Sequence, residues 1–230
     1  MIVQRGTAVR RQWVWLSHVL SPSTPAYGGD GRVSIMPAKQ LARGDSANTL
    51  DLAMPNHIGS HVDAPRHFIA DGASVDQYPA DDWIFEHPIL IDATVSPAVL
   101  IDADRLARAC PSPDRAADLV FLQTGAARLR GSEDFWRAGP GVAGSGARWI
   151  IDHFPKIRAL GLDSISLSSF AHRAEGRTAH RLLLERGIRL FEDLDLAAIP
   201  AGSSLVRVIG LPLRLQDGDG APVTMIGEIA

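Results

Sequence analysis

The chain has 230 residues, of which 46% are apolar and 21% are charged, proportions that are ordinary for a soluble globular protein. Its net charge of −3 gives no electrostatic reason to expect a nucleic-acid partner. No segment approaches the ~18 consecutive apolar residues of a membrane helix, so we expect no membrane partner. The only cysteine, Cys110, excludes a disulfide within the chain. We predict a single cytoplasmic domain over residues 1–230.

Strand-like segments dominate the predicted secondary structure. They are residues 13–20, 87–93, 118–125, 164–169, 188–192, 204–215 and 222–230. The last two flank the string QDGDGA, whose Asp-Gly pairs are strong turn signals, and should form a hairpin.

Three helices are predicted as well, over residues 103–110, 145–160 and 177–187. Ser145 and Gly161 should begin and end the second helix, and Pro155 should bend or divide it. Gly187 should close the third helix. The predicted fold class is therefore α/β, mixed and strand-rich. Strands and helices do not alternate cleanly, which makes a doubly wound parallel sheet a poor fit.

One short segment, HIGSHVDAPRHF, concentrates polar side chains of metal-binding type. They are His57, His61, Asp63 and His67. Their numbers share one parity, so an extended chain would direct all four to the same side. On a straight strand, however, His57 and His61 would lie ~13 Å apart, whereas metal–nitrogen bonds are only ~2.0–2.1 Å long. We therefore predict that the chain turns at Gly59-Ser60, because glycine permits the required backbone conformation.

A second candidate pair lies in the C-terminal third of the chain. Glu192 ends a predicted strand whose face is otherwise apolar, and His180 lies on the third predicted helix. A carboxylate is costly to bury there unless it is paired or bound to a metal. The alternative is an exposed loop acid. Imidazoles and carboxylates that share a face are typical ligands of borderline divalent ions.

The histidine segment resembles the signature of the cyclase family of metal-dependent hydrolases, which includes bacterial kynurenine formamidase and isatin hydrolase. The family motif H-x-G-T-H-x-D-x-P-x-H is matched from His57 to His67, with Ser60 in place of threonine. The strings LSPSTPAYGGD, GLDSISLSS and AHRLLLERGIRLFEDLDL extend the resemblance over most of the chain. The last string contains His180 and Glu192, twelve residues apart as in the family.

The resemblance implies a fold, a metal centre and an assembly. The fold is a swivelling β/β/α domain, and the protein would be a homo-oligomer, either a dimer or a tetramer. His57, His61 and Asp63 would bind one ion, and Asp63, His180 and Glu192 would bridge to or bind a second. The ion would be Zn²⁺ or Mn²⁺, with one or two ions per subunit.

The same resemblance implies hydrolysis of an amide bond in a small-molecule substrate. That substrate would be an arylformamide such as N-formylkynurenine, or a cyclic amide such as isatin. His67 would be the catalytic general acid and base. Formamidases of the family place an N-terminal aromatic side chain against the substrate, and Trp13 and Trp15 are the candidates here.

Two other function classes stay open. One is a non-catalytic protein that holds a metal and binds a ligand, although a closed structural metal site has no use for an additional titratable group such as His67. The other is a cupin-type metal oxygenase, which is also rich in strands. The cupin pattern of His-x-His followed closely by Glu is absent from the sequence.

Overall fold

The computed structural model describes residues 11–230, and a nine-stranded sheet forms its centre. The strands are β1 (Gln12–Trp15), β2 (Ser34–Lys39), β3 (Thr49–Ala53), β4 (His61–Asp63), β5 (Ile84–Phe85), β6 (Pro88–Asp92), β7 (Leu100–Ile101), β8 (Leu119–Gln123), β9 (Gly141–Val142), β10 (Ala159–Leu162), β11 (Arg189–Glu192), β12 (Leu205–Pro212) and β13 (Gly220–Ile229). The α-helices are α1 (Ala103–Ala109), α2 (Asp134–Arg137), α3 (Gly144–His153) and α4 (Arg173–Leu184). Outside the main sheet, β2 pairs with β3 and β7 pairs with β9.

Half of the main sheet is parallel. Strands β6, β8, β10 and β11 are neighbours in that order, and α1, α3 and α4 connect them in turn. This half is therefore a run of β-α-β units, which the sequence does not predict. In β8, Val120 and Leu122 pack in the core beneath the helices, whereas Leu119 and Phe121 pack in the core on the other face. Parallel strands that are covered on both faces are apolar along their length. The first four residues of β8, Leu-Val-Phe-Leu, fit this pattern.

The other half of the sheet is antiparallel. Strand β4 lies between β11 and β13 and runs antiparallel to both. Strand β13 also pairs with β12 and β1, and β12 pairs with β5. Side chains of these strands join Leu119 and Phe121 in the second core, so the sheet curls into a nearly closed, barrel-like form. The predicted mixed, strand-rich α/β class is confirmed, and so is the hairpin formed by the last two strands.

Both predicted boundaries of the second helix are wrong, and so is one predicted strand. The second helix ends at His153 rather than at Gly161, because Pro155 follows and cannot continue a helix. The last two residues of the predicted helix, 159 and 160, belong to strand β10 (Ala159–Leu162) instead. Residues 164–169 form bends and no strand. Ser145 lies inside the helix, and Ala143 occupies the N-cap position.

The hairpin of β2 and β3 was not predicted from the sequence, because its strands carry no buried face. All but one of its strand residues are exposed, and they include large apolar side chains. Met36, Leu50 and Leu52 have exposed fractions of 61%, 65% and 53%.

Within residues 11–230, no helix combines the length and the apolar character that crossing a membrane requires.

Candidate metal centre

Strand β4 forms the middle of the site, because each of its two neighbours brings an acidic side chain beside it. On one side, β11 places Glu192 directly opposite His61. On the other side, β13 begins with Gly220 opposite Asp63, and Asp219 immediately precedes that strand. His61 and Asp63 lie two positions apart on β4 and therefore share one face. Pairing of distant segments thus gathers three carboxylates around one short strand.

The predicted turn at Gly59-Ser60 is present. Gly59 has a φ of +64°, a left-handed conformation that strains residues with a Cβ. The Ser60 hydroxyl accepts a hydrogen bond from the His18 backbone N–H at 2.9 Å and so fixes the turn to the N-terminal segment. As a result the ring centroids of His57 and His61 lie 5.3 Å apart, far closer than a straight strand would allow.

The first candidate metal-binding group consists of three predicted ligands that lie close together: His57, His61 and Asp63. Nδ1 of His57 lies 2.8 Å from Oδ1 of Asp63, and Nε2 of His61 lies 3.5 Å from the same oxygen. Nδ1 of His61 donates to the Gly59 carbonyl at 2.8 Å, which directs Nε2 toward the carboxylates. A backbone partner of this kind fixes the tautomer and the ring orientation of a metal-ligating histidine.

The second candidate metal-binding group shares Asp63 with the first and also contains His180 and Glu192. Nε2 of His180 lies 3.6 Å from Oδ2 of Asp63 and 3.4 Å from Oε1 of Glu192. Nδ1 of His180 donates to the Gly176 carbonyl at 2.8 Å, so this ring is oriented in the same way as that of His61. Helix α4 supplies both the histidine and the carbonyl that orients it.

The donor atoms of each group suit a divalent ion. Within each group of three, one ligand atom from every side chain lies within 4.8 Å of the others. Imidazole nitrogens together with carboxylate oxygens are a donor set for borderline divalent metals. The two carboxyl oxygens of Asp63 face different groups, which is the arrangement expected of a carboxylate between two ion positions.

Electrostatics in the buried centre also favour a cation. Burial opposes a charged imidazole, but hydrogen bonds and charges from Glu192 and Asp63 raise the pKa of His61 to about 9 and that of His180 to about 10. Although burial favours the neutral acids, bonds from the imidazoles hold the pKa values of Asp63 and Glu192 below their usual range. The two carboxylates are thus ionised and require positive charge beside them, which a divalent ion also supplies.

His67, the predicted proton shuttle, lies beside the first group in the short helical turn Pro65–His67. Its ring stacks on that of His57, with 4.0 Å between the ring centroids. Nδ1 of His67 lies 2.8 Å from Oδ2 of Asp219, and Nε2 of His57 lies 2.9 Å from the same oxygen. Burial favours a neutral acid here, yet bonds from His67 and His57 lower the pKa of Asp219 to about 2.

Asp219 is not recognisable as a site residue from the sequence. It lies in the string QDGDGA, where both aspartates look like turn residues, and nothing local separates it from Asp217. The distinguishing contact is tertiary, because the backbone carbonyl of Asp219 accepts the Ala64 N–H at 2.9 Å at the end of β4. Only the pairing of β13 with β4 brings Asp219 to the histidines.

A cavity of about 540 Å³ opens onto the two candidate metal-binding groups, and its volume is in the range of small-molecule sites, roughly 300–1,000 Å³. All six predicted metal-centre residues line it, as do Tyr27, Phe68, Ile165, Ser166, Ser168, Arg173 and Arg177. Trp13 and Trp15 do not line it. They lie on β1, and Trp15 borders a different surface cavity together with Leu211 and Leu213. Contact of either tryptophan with substrate stays a prediction.

Comparison with known sequences identifies relatives over nearly the whole chain. The Cyclase family model matches residues 14–169, more than half of the chain, and ends before His180 and Glu192. Cyclase-like protein 1 of Arabidopsis thaliana is 29% identical over 223 residues, which cover 92% of this chain and 82% of that protein. Kynurenine formamidase of Delftia acidovorans is 24% identical over 218 residues, which cover 94% of this chain and 97% of that protein.

Comparison with solved structures gives the same fold. Isatin hydrolase A from Labrenzia aggregata, bound to benzyl benzoate, superposes with a TM-score of 0.80 at 24% sequence identity. The match covers 95% of this chain and 93% of that one. The match of the family model, which includes the complete segment from His57 to His67, shows that the chain belongs to the Cyclase family.

Proposed function

We propose that the protein is a metal-dependent hydrolase that cleaves the C–N bond of an amide. The observation that carries the proposal is the position of His67 beside two histidine–carboxylate groups that share Asp63. A closed structural site would not need an additional imidazole that reaches the cavity. His67 lines that cavity, and its Nδ1 is already bonded to Asp219, which leaves Nε2 for chemistry.

The proposed ligands are the residues that the sequence predicted. His57, His61 and Asp63 would hold one ion, and Asp63, His180 and Glu192 would hold or adjoin a second. Zn²⁺ and Mn²⁺ both suit nitrogen and carboxylate donors, and one or two ions per subunit are compatible with the shared Asp63. A divalent ion bound there supplies an acidified water molecule and polarises the amide carbonyl.

His67 would carry out the proton transfers. Nε2 takes a proton from the attacking water, and the new C–O bond forms as the carbonyl becomes tetrahedral. The same nitrogen then returns the proton to the leaving nitrogen when the C–N bond breaks. Imidazole suits both steps because histidine side chains titrate near neutral pH. The proton is thus transferred and returned, and His67 is regenerated.

Two exposed arginines that line the cavity favour a substrate that bears a carboxylate. Arg173 and Arg177 lie one turn apart on α4 and line the cavity. Neither forms an ion pair with any residue in the described part of the chain. The acidic side chain between them, Glu175, instead accepts the Gly144 N–H at 3.2 Å. The guanidinium of Arg173 is held over the Phe170 ring, 4.6 Å from its centroid.

Free guanidinium groups recognise carboxylates well. Among the two substrate types considered, N-formylkynurenine carries a carboxylate and isatin does not. We therefore propose an arylformamide that bears a carboxylate as the favoured substrate, with isatin-type cyclic amides as the second candidate. Relatives named kynurenine formamidase and isatin hydrolase make both worth testing.

The test begins with metal analysis of the purified protein and continues with assays of the metal-loaded enzyme. N-formylkynurenine, the uncharged formanilide and isatin form the panel. Arg173→Gln and Arg177→Gln should lower kcat/KM for N-formylkynurenine about tenfold each, the effect of ~1.4 kcal/mol, and leave formanilide unaffected. Arg181→Gln, one turn further along the same helix and exposed, is the control. Equal loss on both formamides would remove the case for carboxylate recognition.

Inactivity on the whole panel, with metal tightly held, would favour the alternative of a non-catalytic ligand-binding protein.

We also propose a cytoplasmic homo-oligomer, either a dimer or a tetramer. Support for self-association comes from the exposed apolar side chains of the β2–β3 hairpin, since large exposed apolar patches mark interaction sites. Size-exclusion chromatography with light scattering measures the oligomeric state. The extent of the domain, residues 1–230, stays a prediction.

A further inference from the structure

One carboxylate oxygen outside the two groups that share Asp63 contacts two histidines of the candidate site at once. Oδ2 of Asp219 lies 2.8 Å from Nδ1 of His67 and 2.9 Å from Nε2 of His57. The two rings stack on each other, so one acceptor reaches both. The second nitrogen of His57 is then directed at Oδ1 of Asp63, 2.8 Å away. Asp219 therefore connects the first metal-binding group to the proposed proton shuttle.

The carboxylate of Asp219 is itself held firmly. Its Oδ1 accepts a hydrogen bond from Nδ2 of Asn56 at 2.7 Å, and the same amide contacts the Gly220 carbonyl at 3.1 Å. The backbone of Asp219 belongs to the β4–β13 junction that also carries Asp63. At Gly220 there is no space for a side chain, because a Cβ would overlap the ring of His57. The oxygen is thus fixed relative to the strand that bears the ligands.

We propose that Asp219 is a positioning residue that orients both histidines through this single oxygen. With its Nε2–H donated to Asp219, His57 presents Nδ1 to the metal-binding group. With its Nδ1–H donated to the same oxygen, His67 presents Nε2 to the cavity. The His67 half of this inference rests on the proposed hydrolase function, whereas the His57 half requires only that a metal binds.

The first test measures metal affinity in Asp219→Asn. The variant keeps the shape of the side chain but replaces a charged acceptor with a weaker neutral one. Because outer partners of metal-ligating histidines are worth ~10–100-fold in metal affinity, we expect a loss of that size in a chelator competition titration with Zn²⁺ or Mn²⁺. Asp217→Asn is the matched control, since Asp217 is exposed, lies in the same turn and has a φ of +54° that asparagine tolerates. Unchanged affinity in Asp219→Asn would overturn the His57 half. Asp219, His57 and His67 also bring one ligand atom each within 4.8 Å, so a loss well above 100-fold would identify Asp219 as a ligand and overturn its role as a positioning residue.

The second test separates positioning of His67 from general damage to the fold. At saturating metal, Asp219→Asn should lower kcat at least tenfold with KM nearly unchanged. In a His67→Ala background the same substitution should cause no further loss, because a residue that acts through another is not additive with it. Additive losses, or a wild-type kcat in the single variant, would overturn the His67 half.

A further variant keeps the inference testable if Asp219→Asn fails to fold. Asn56→Ala removes only the anchor of the carboxylate, so it should weaken metal affinity and kcat in the same direction by smaller factors. Wild-type values for both quantities would contradict the inference. If the wild-type enzyme hydrolyses nothing, the proposed function fails. The metal titration still decides whether Asp219 supports His57.

Discussion

Glu192 and His61 face each other across an antiparallel strand pair, with 3.4 Å between Oε2 and Nε2. The other carboxyl oxygen of Glu192 lies 3.4 Å from Nε2 of His180, so the same side chain connects the strand pair to helix α4. Oε1 also accepts the Leu167 N–H at 2.6 Å. These bonds hold the carboxylate in one orientation in a buried site, as a ligand requires.

We expect Glu192→Gln to lose metal. The amide is close to isosteric but carries no charge, and it donates where the carboxylate accepted. Even the outer partners of metal ligands are worth ~10–100-fold in affinity, so loss of a ligand should exceed about 100-fold. Elemental analysis and chelator titration measure the change. Glu185→Gln, an exposed position just after α4, should bind as the wild type does. Retention of full metal content would remove Glu192 from the ligand set.

His67→Ala should keep its metal and lose turnover. General acid–base catalysis contributes roughly 10²–10⁴-fold, and kcat should fall by a factor in that range. Metal content, measured by elemental analysis, should equal that of the wild type because His67 is in neither of the two groups that share Asp63. The ligand atoms of His57, His67 and Asp219 also lie within 4.8 Å of one another, so this measurement tests that third set as well. A variant that loses metal together with activity would instead identify His67 as a ligand.

The stability of the metal-free protein should fall as the pH rises. The folded-state pKa values of about 9 for His61 and about 10 for His180 lie above the ~6.5 of an unfolded histidine. A raised pKa means that the stabilising contribution is complete below about pH 6.5 and is lost as the pH rises through the folded values. Thermal unfolding in the presence of a chelator should therefore show a decreasing Tm between about pH 7 and pH 10. A Tm that is constant over this range would contradict the expectation.

The metal-loaded protein should respond differently to pH. A bound ion requires neutral imidazoles, so binding releases the protons held by His61 and His180. Apparent metal affinity should therefore increase with pH over the same range. Calorimetric titrations in buffers of different ionisation enthalpy measure the released protons directly. Binding without proton release would show that these two side chains are not ligands.

The ion pair between half-buried Arg130 and buried Asp193, the residue after Glu192, should be a major contributor to stability. Arg130 donates two hydrogen bonds to Asp193, at 2.8 Å and 2.9 Å. The Asp193 side chain is 1% exposed and that of Arg130 is 21% exposed. Removing one partner of a fully buried pair costs ~3–5 kcal/mol, and partial exposure of Arg130 lowers our expectation to about 2–4 kcal/mol for Arg130→Met.

Urea unfolding of Arg130→Met measures this loss. Arg137→Met serves as the control, because Arg137 pairs with Glu133 at 3.5 Å and both side chains are more than half exposed. Exposed i,i+4 pairs on helices typically contribute ~0.3–0.5 kcal/mol to the free energy of unfolding. If the two variants unfold at the same urea concentration, the Arg130–Asp193 pair has no special role in stability.

Much of the first metal-binding group was predictable from the sequence. His57, His61, Asp63 and the turn at Gly59 are close in the chain, and bond lengths alone require the turn. Strands β8 and β11 were predictable as well, because parallel strands covered on both sides are apolar along their length, whereas β10 was missed. The helix ending at His153 was misjudged, since an apolar run beyond Pro155 is compatible with both helix and strand.

What the sequence by itself determined is therefore the local chemistry: which side chains are of ligand type, and that a turn brings two of them together. Only the tertiary structure decided that Asp219, rather than Asp217, supports His57 and His67. It also decided that Glu192 reaches His61, and that Arg173 lines the cavity while Trp15 does not. The physical reason is that strand β4 contributes only its own side chains, whereas its partners β11 and β13 are selected by packing of the whole sheet. No local pattern encodes that selection.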